Sequence, residues 1–413
     1  MIRCSAQTLV ALFILTNITA TICCPQTCSC QSTPNVNVDC DHRSLTAIPP
    51  GVQAQTAKLD LSYNKITTLL PEAFNSLSQL KYLHLKNNAI SVISSGAFHG
   101  LTSLEKLYLN YNDVITLPEN VFSSLTRLKY LYLNDNAISM ISSKAFTGLS
   151  NLYELTISYN EITSLPASVF HNLQNLHRLE MYKNKISSLP VTIFQTLDKL
   201  YALDLGGNNL TTFPFGIFNG LNNLNVLMLM RNKISSVPIE ALRSLPSLQH
   251  LHMFNNLLTN VSALKDLQNL KTLKLDGNCI QVLQDGVFER LTKLRILYLQ
   301  RCCIETVFPS TFRGLSSLLN LYLNNNELKT LPATLFDDVQ NLKRLYLRHN
   351  ELTSLPSNIF TGLPLEDLEL DHNKLRHPPV ILSLNELHYL SLSHNDLEII
   401  PTTFPIQRLR FGS

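Results

Sequence analysis

A single asparagine recurs along most of this chain at a fixed interval. Each copy ends the pattern LxxLxLxxN, as in the segment from Leu80 to Asn88. The copies stand 24 residues apart up to Asn256, and the full set is Asn64, Asn88, Asn112, Asn136, Asn160, Asn184, Asn208, Asn232, Asn256, Asn278, Asn326, Asn350, Asn373 and Asn395. Cys302 takes the asparagine position between Asn278 and Asn326. A fixed period in this range predicts a solenoid, in which each repeat packs only against its neighbours.

The asparagine repeat predicts one short strand in each turn. Successive side chains of a strand point to opposite faces, so the leucines point inward and the residues between them point outward. Strands of successive turns then stack in parallel at roughly 4.8 Å and form one curved sheet. The asparagine amide turns inward and pairs with backbone groups that would otherwise be buried unpaired. We interpret Cys302 as structural, because a thiol is a weak donor that packs well in a core.

A second period marks the outer side of each turn. A phenylalanine follows most of the asparagine positions by ten residues, at Phe74, Phe98, Phe122, Phe146, Phe170, Phe194, Phe218, Phe288, Phe312, Phe336 and Phe360. This row predicts an aromatic spine inside the outer wall, interrupted at Leu242 and in the 22-residue repeat after Asn256. The two periods together predict an α/β solenoid, a curved horseshoe with a parallel concave β-sheet and an irregular or short-helical convex side.

The N-terminus has the form of a secretory signal. Residues 1–20 contain a charged start, an apolar run from Leu9 to Leu15 and the small residue Ala20 at a plausible cleavage site. The run is too short to span a bilayer, and no later segment is apolar enough to do so. Glycosylation sequons at Asn209 and Asn260 fit a secreted chain. We therefore predict an extracellular protein, glycosylated at both asparagines, with no transmembrane segment in this chain.

Five of the nine cysteines cluster at the start of the mature chain, at Cys23, Cys24, Cys28, Cys30 and Cys40. In an oxidising compartment this clustering predicts a disulfide-bonded cap. A zinc site is the less favoured alternative, because it needs four ligands with metal-site spacing and usually a reducing compartment.

Two further cysteines, Cys279 and Cys303, each lie one residue past an asparagine position and are 24 residues apart. Equivalent positions on adjacent turns are about one strand spacing apart, which is within disulfide reach. The spacing predicts a bridge between Cys279 and Cys303. The alternative is a pair of exposed free thiols, which is unusual in a secreted protein.

The cap segment has a recognisable form. Cys24-Pro-Gln-Thr-Cys28-Ser-Cys30, followed by Cys40-Asp41 and Leu45-Thr-Ala-Ile-Pro49, resembles the N-terminal cap of extracellular leucine-rich-repeat proteins such as Slit, the Nogo receptor, variable lymphocyte receptors and small leucine-rich proteoglycans. The repeats are similar to the typical subtype of that superfamily. The resemblance implies disulfides Cys24–Cys30 and Cys28–Cys40. Cys23 is then left over, either free, competing with Cys24 or linking two chains.

The other end departs from many of these relatives, which close with a cysteine-rich cap that contains a Trp. This chain has no cysteine after Cys303 and no Trp. We predict a signal peptide (1–20), a cysteine-rich cap (21–57), about fifteen repeats (58–408) and an incomplete repeat without a cap (409–413). An open solenoid end exposes core and strand edge, which favours self-association or a covering partner; a truncated chain is the alternative.

The outward residues of the central strands are the favoured binding site. Methionine and phenylalanine on a solvated sheet face are atypical, and exposed apolar patches mark interaction sites. We predict a ligand site on the concave face that includes Glu180, Tyr182, Val226, Met228, Met230, Arg231, His250, His252 and Phe254. Tyrosines at one equivalent position, Tyr298, Tyr322 and Tyr346, are either further contacts or repeat filler that stacks between strands.

Motifs that would indicate catalysis, such as HExxH, GxSxG, a phosphate loop or GxGxxG, are missing from the sequence. We predict no catalytic residues, metal or cofactor. A formal charge of +3 without a basic run makes nucleic acid a poor partner. The sequence favours an extracellular recognition or adhesion protein for a protein or glycan ligand. A matrix organiser of the proteoglycan kind and a carrier subunit of an extracellular complex are the alternatives.

Overall fold

The fold is a solenoid of parallel strands with very little helix, as the repeat period predicts. A computed structural model describes residues 24–31, 35–398 and, for the backbone alone, 410–411. The chain divides into two compact units, unit 1 with residues 1–200 and unit 2 with residues 201–413. The predicted signal segment, Cys23 and residues 399–409 lie outside the described part of the chain.

Unit 1 contains a main sheet with one short strand in each repeat. Its strands are β1 (Ser29–Gln31), β2 (Val36–Asp39), β3 (Thr56–Asp60), β4 (Thr68–Leu69), β5 (Tyr82–His84), β6 (Val92–Ile93), β7 (Lys106–Tyr108), β8 (Thr116–Leu117), β9 (Tyr130–Tyr132), β10 (Met140–Ile141), β11 (Glu154–Thr156) and β12 (Arg178–Glu180). β1 is antiparallel to β2, and β2, β3, β5, β7, β9, β11 and β12 pair in parallel in that order. The remaining strands form two-stranded sheets, β4 with β6 and β8 with β10.

Unit 2 repeats the same arrangement. Its strands are β13 (Ala202–Asp204), β14 (Val226–Met228), β15 (His250–His252), β16 (Thr272–Lys274), β17 (Val282–Leu283), β18 (Ile296–Tyr298), β19 (Thr306–Val307), β20 (Asn320–Tyr322), β21 (Arg344–Tyr346), β22 (Asp367–Glu369), β23 (Tyr389–Ser391) and β24 (Arg410–Phe411). β17 and β19 form a separate pair, and the other strands pair in parallel in chain order.

The alternation of leucine with other residues decides which face of each strand is buried. In β5, Leu83 is fully buried and its neighbours Tyr82 and His84 are half-buried, and most main strands have the same pattern. The register places residues 24 apart directly opposite each other, for example Tyr82 opposite Lys106. From β3 to β12 and from β13 to β23, a column of outward side chains can therefore be read from the sequence at intervals of 24, shortened to 22 or 23 at β16, β22 and β23.

The N-terminal cap is fixed by two disulfides, Cys24–Cys30 and Cys28–Cys40. These are the pairs that the resemblance to extracellular leucine-rich-repeat proteins implies. Cys40 is fully buried, and its backbone N–H donates to the carbonyl of Asp60 over 2.8 Å. The cap thus covers the end of the core and continues the backbone pairing of the first repeat.

The asparagines make the inward hydrogen bonds that their spacing predicts. Nδ2 of Asn160 donates to the carbonyls of Leu133 and Ile157 over 3.0 and 3.1 Å, and Oδ1 accepts from the backbone N–H of Ile138 over 2.9 Å. Leu133 and Ile138 belong to the preceding turn and Ile157 to its own. Each amide therefore joins two turns and satisfies backbone groups that the core would otherwise leave unpaired.

The phenylalanine spine is present in both units. In unit 1, the rings of Phe74, Phe98, Phe122, Phe146, Phe170 and Phe194 stack in sequence with centroids 5.6 to 6.5 Å apart. In unit 2, the rings of Phe288, Phe312, Phe336 and Phe360 stack at 6.2 to 6.3 Å. Where the sequence lacks the phenylalanine, the outer wall forms a helix α1 (Ile239–Leu242) and a 3-10 helix (Ser262–Asp266). Buried Leu242 and Leu264 fill the core there.

Among the described residues, no helix is both long enough and apolar enough to cross a membrane.

Cys302 replaces an asparagine with only half of its hydrogen bonds. The fully buried thiol donates to the carbonyl of Leu275 over 3.3 Å, the bond that an asparagine would make to the preceding turn. A thiol has no amide oxygen to offer, and the N–H of Ile280 instead donates to the backbone carbonyl of Cys302 over 2.7 Å. Burial raises the pKa of Cys302 to about 12. The residue is structural, in line with its interpretation from the sequence.

The predicted bridge between Cys279 and Cys303 is wrong, because both are free thiols. The cause is the altered turn at Cys302. Cys303 has a left-handed backbone with φ of 55°, whereas Cys279 does not. Equivalent positions on the two turns therefore do not point their Cβ atoms the same way, and the thiols meet in a hydrogen bond rather than a covalent bond. Backbone direction, in addition to strand spacing, decides whether a disulfide forms.

Alkylation with iodoacetamide is expected to distinguish the three free thiols in the described part of the chain. The thiolate is the reactive species, and the hydrogen bond that the Cys303 thiol donates to Cys279, together with burial, raises the pKa of Cys303 to about 11. We expect exposed Cys279 to react first, Cys303 to react faster as the pH rises towards 11, and Cys302 to react only after denaturation. Peptide mass spectrometry measures the three rates. A disulfide-linked peptide that contains Cys279 and Cys303 would contradict this assignment.

Candidate functional site

The predicted central residues of unit 2 form one surface, here called the central patch: Val226, Met228, Met230, His250, His252 and Phe254. The register of β14 and β15 places Val226 opposite His250 and Met228 opposite His252. All six side chains are half-buried, above the fully buried Leu227 and Leu251. The patch is thus a partly accessible apolar surface on a rigid sheet rather than a set of fully exposed side chains.

Gly206 makes room for the patch at one side. A Cβ at this position would lie 2.6 Å from Sδ of Met230, a distance that the two atoms cannot occupy. The missing side chain therefore allows Met230 to lie flat across the neighbouring strand. Arg231 is exposed beside the patch and has the left-handed backbone common to this position of the repeat.

The two histidines of the central patch are neutral at physiological pH. Burial, with smaller contributions from Lys274 and His250, lowers the pKa of His252 to about 4. Burial and Lys271 also lower the pKa of His250. Since both imidazoles stay uncharged at neutral pH, the patch has the apolar character of its methionines and phenylalanine.

The tyrosine column continues the row that contains Met228 and His252. His252 lies opposite Lys274, and Lys274 lies opposite Tyr298, with its Nζ 5.1 Å from the centre of that ring. Tyr298, Tyr322 and Tyr346 then stack face to face with centroids 4.4 and 4.5 Å apart. Stacking uses the ring faces and leaves the ring edges and hydroxyls to the concave side. The column can therefore both stabilise the strands and offer a contact surface.

Glu180 and Tyr182 belong to unit 1, whereas the other predicted site residues belong to unit 2. Glu180 pairs with Arg178, whose Nε donates to Oε1 over 2.6 Å. The Tyr182 ring packs edge-on against Tyr159 at 5.6 Å, and the ammonium of Lys183 lies over both rings. Both residues thus have partners within unit 1.

Charged residues near Tyr346, at the C-terminal end of the tyrosine column, form ion pairs with one another. Arg344 donates to Asp367 over 2.8 Å, and Arg348 lies 3.4 Å from Asp371. Three histidines in the same column position, His349, His372 and His394, stack with centroids 4.1 Å apart. Neither these histidines nor any other group of three or more His, Cys, Asp or Glu residues in the described part of the chain is arranged to hold a metal ion.

The two sequons lie on unit 2. Asn209 is half-buried, and Asn260 is exposed, with its Oδ1 accepting from the N–H of Ser262 over 2.8 Å. Asn260 also lines a cavity of about 350 Å³ together with Thr259, Ser262 and Cys279. Glycosylation at both sites stays a prediction.

The concave face of unit 1 has a second candidate surface, which the sequence analysis does not predict. Lys58, Lys86 and Lys106 lie together on its concave face, interleaved with tyrosines. The available signal was the column of residues 24 apart, which reads Lys58, Tyr82, Lys106, Tyr130. Lysines on a solvated face attract little notice, and only the register shows that they share one surface.

The family follows from a comparison with known repeats. A family model described as Leucine rich repeat matches residues 54–114, 114–162, 150–210, 198–258, 259–304, 294–352, 320–375 and 340–397. The chain therefore belongs to the leucine-rich-repeat family.

Similar proteins match only short stretches of the chain. Leucine-rich repeat-containing G-protein coupled receptor 5A of Xenopus laevis is 44% identical over 85 residues, which are 20% of this chain and 9% of the receptor. Chondroadherin-like protein of Mus musculus is 38% identical over 81 residues, 20% of this chain and 11% of that protein. The chain thus matches a small part of the length of these relatives.

Solved structures match most of the chain. A leucine-rich-repeat protein of Leptospira interrogans superposes with a TM-score of 0.69 and 29% identity, covering 87% of this chain and 96% of that one. Toll in its complex with Spatzle, from Drosophila, gives a TM-score of 0.69 at 22% identity, covering 83% of this chain and 52% of that one. The likeness to Toll concerns the fold alone.

Proposed function

We propose that the protein is an extracellular, non-catalytic recognition protein that binds another protein through the concave face of unit 2. The central patch is the observation that carries this proposal. It combines half-buried methionine, histidine and phenylalanine side chains on a rigid sheet, and surfaces of this composition are enriched at interfaces. The uncharged state of His250 and His252 keeps the cost of desolvation low.

The proposed binding mode has a clear division of labour. Met228, His252 and Phe254 supply apolar contact area, and the stacked tyrosines beyond Lys274 supply hydroxyls and ring edges at little cost in entropy. Solenoids offer extended concave surfaces of this kind, and the family usually serves interaction rather than catalysis. The solved Toll structure, which has the same fold, contains its protein partner Spatzle.

The extracellular part of the proposal is supported by the cap disulfides. Such bonds persist in oxidising compartments and are rare in the cytosol. The signal-like residues 1–20 and the sequons at Asn209 and Asn260 support the same location. We propose that both asparagines carry glycans, outside the concave face that binds the partner.

Replacing Met228, His252 and Phe254 together by serine is expected to abolish binding while secretion is retained. Outward side chains of a concave sheet contribute little to the core, whereas the loss of three central contacts removes the energetic centre of an interface. We expect binding to weaken at least about 100-fold, because each central contact contributes on the order of 1–2 kcal/mol. Wild type and variant are each screened against an array of purified extracellular proteins. The binding affinity for every protein that the wild type binds is then compared between the two.

The matched control replaces the same residue types away from the concave face: Met140, His99 and Phe215, all exposed. This triple serine variant should keep every hit of the wild type. Hits that survive the central substitutions, or an equal loss in the control, would contradict the proposed site. Failure of the wild type to bind any member of the array would count against protein recognition itself.

A further inference from the structure

Three lysines of unit 1 converge on one part of its concave face. The register of β3, β5 and β7 places Lys58 opposite Tyr82 and Tyr82 opposite Lys106. Lys86 follows β5 on the same face. Two strand spacings separate Lys58 from Lys106, which is about 9.6 Å. We call Lys58, Tyr82, Lys86, Lys106 and Tyr108 the basic-aromatic surface.

Carboxylates flank the lysines of this surface but contact only one of them. Oδ2 of Asp60 lies 3.5 Å from Nζ of Lys58 and 3.4 Å from Nδ1 of His84. Asp39 lies opposite Asp60 on β2, and Glu154 lies opposite Tyr130 on β11, so both border the surface. The other two ammonium groups rest on rings, Lys86 over Tyr63 at 5.6 Å and Lys106 over Tyr130 at 4.6 Å. Within the described residues, neither Lys86 nor Lys106 forms an ion pair with a carboxylate.

His84 records the electrostatic balance at the middle of the surface. Burial is the main cause of its lowered pKa, and Asp60 opposes it, but Lys58, Lys86 and Lys106 all add to the lowering. His84 is therefore neutral at physiological pH. Asp60 thus offsets Lys58, and an anionic ligand beside Lys86 and Lys106 would meet a positive potential.

Aromatic rings cover the rest of the surface. The His84 ring packs against Tyr108 at 4.4 Å, and Tyr108 stacks on Tyr132 at 4.8 Å. All three side chains are half-buried, so they are held in place before any ligand arrives. Pre-ordered tyrosines give contact area to peptide side chains and backbone at low entropic cost.

We propose that the basic-aromatic surface of unit 1 binds an extended acidic peptide segment of a protein partner. The proposal rests on the function proposed above and adds a second, charged subsite to it. A peptide in the polyproline II conformation advances about 9.3 Å in each three-residue turn, so carboxylates three residues apart lie on one face and match the separation of Lys58 and Lys106. A densely sulfated glycan fits less well, because Asp60 lies within the surface and the cations are only three.

The probe is a fluorescein-labelled peptide with four repeats of Glu-Thr-Thr, compared with its Gln-Thr-Thr counterpart by fluorescence anisotropy at low salt. We expect the acidic peptide to bind and the neutral one not to bind. Substitution of Lys58→Gln, Lys86→Gln and Lys106→Gln together should weaken binding about tenfold, since each exposed ion pair contributes up to about a factor of five. Added salt should weaken wild-type binding as well, because it screens exposed charges.

A matched variant tests whether position matters more than net charge. Lys144→Gln, Lys199→Gln and Lys293→Gln remove three exposed lysines away from the concave strands and should leave acidic-peptide binding unchanged. Equal binding of the two peptides, an equal loss in both lysine variants, or preference for a heparin fragment over the acidic peptide would overturn the proposal.

The same assay separates this subsite from the central patch. The variant with Met228, His252 and Phe254 replaced by serine should bind the acidic peptide as the wild type does, because its three lysines are intact. If the array identifies a partner whose binding needs the central patch while the acidic peptide fails to bind, the charged subsite is wrong and the proposed function stands. If the peptide binds but the array gives no partner, the reverse holds for the central patch.

Discussion

Replacing Asn160 by alanine is expected to destabilise unit 1 by about 3 kcal/mol. Asn160 is 5% exposed, and its side chain joins two turns through both of its polar atoms. The carbonyls of Leu133 and Ile157 would each keep a second donor, from Asn136 and Asn184. The N–H of Ile138 would lose its acceptor inside the core, and a buried donor without a partner accounts for most of the expected loss.

Two measurements check this expectation. Urea unfolding followed by circular dichroism gives the change in free energy, and hydrogen exchange should show faster exchange of the Ile138 amide. The control is Asn151→Ala, which removes an exposed amide with one bond, Nδ2 to the carbonyl of Thr126 over 2.8 Å, and should cost less than about 1 kcal/mol. Equal stability of the two variants would contradict the conclusion that the hydrogen bonds of the repeated asparagines stabilise the core.

Regular features of this fold could be predicted because they repeat. The repeated pattern predicted the asparagine bonds, the phenylalanine stack and the parallel register, since each repeat meets its neighbours in the same way. The cap disulfides followed from the resemblance of Cys24, Cys28, Cys30 and Cys40 to a known cap.

Irregular features could not be predicted because they depend on backbone direction. The thiol of Cys302 lacks the amide oxygen of an asparagine, and the N–H of Ile280 donates to the backbone carbonyl of Cys302 instead. Cys303 then has a positive φ, which the residue pattern does not predict. Strand spacing alone would allow a bridge between Cys279 and Cys303. The positive φ of Cys303 changes the direction in which its Cβ leaves the backbone. The 22-residue repeat is a second departure from regularity. It contains a 3-10 helix and borders a cavity beside Asn260.

The candidate surfaces show a similar limit. An apolar residue on a solvated face attracts attention in a sequence, so Met228, Met230 and Phe254 could be singled out. The position of Met230 depends on the space that Gly206 leaves beside it, which the strand pattern does not show. The basic-aromatic surface could not be predicted, because lysine and tyrosine are common outward residues. Whether they form a binding surface depends on which charges lie opposite them across three strands.

Replacing Phe146 by alanine is expected to have the largest effect on stability, about 3–5 kcal/mol. The ring is fully buried and stacks between Phe122 and Phe170 at 6.2 and 6.0 Å, so its loss opens a cavity that two neighbours must share. The control is Phe215→Ala, because that phenylalanine is 77% exposed and should change stability by less than about 0.5 kcal/mol. Urea unfolding of both variants gives the comparison.

The position of the damage is the sharper test of the spine. Each repeat contacts only its neighbours, so the loss of Phe146 weakens two interfaces directly and leaves the cap disulfides untouched. Hydrogen exchange should therefore increase most in the repeats around Phe122 and Phe170 and least near Cys40. A uniform increase across unit 1 would mean that it unfolds as one cooperative body, and nearest-neighbour packing would then be the wrong description of how this solenoid is held together.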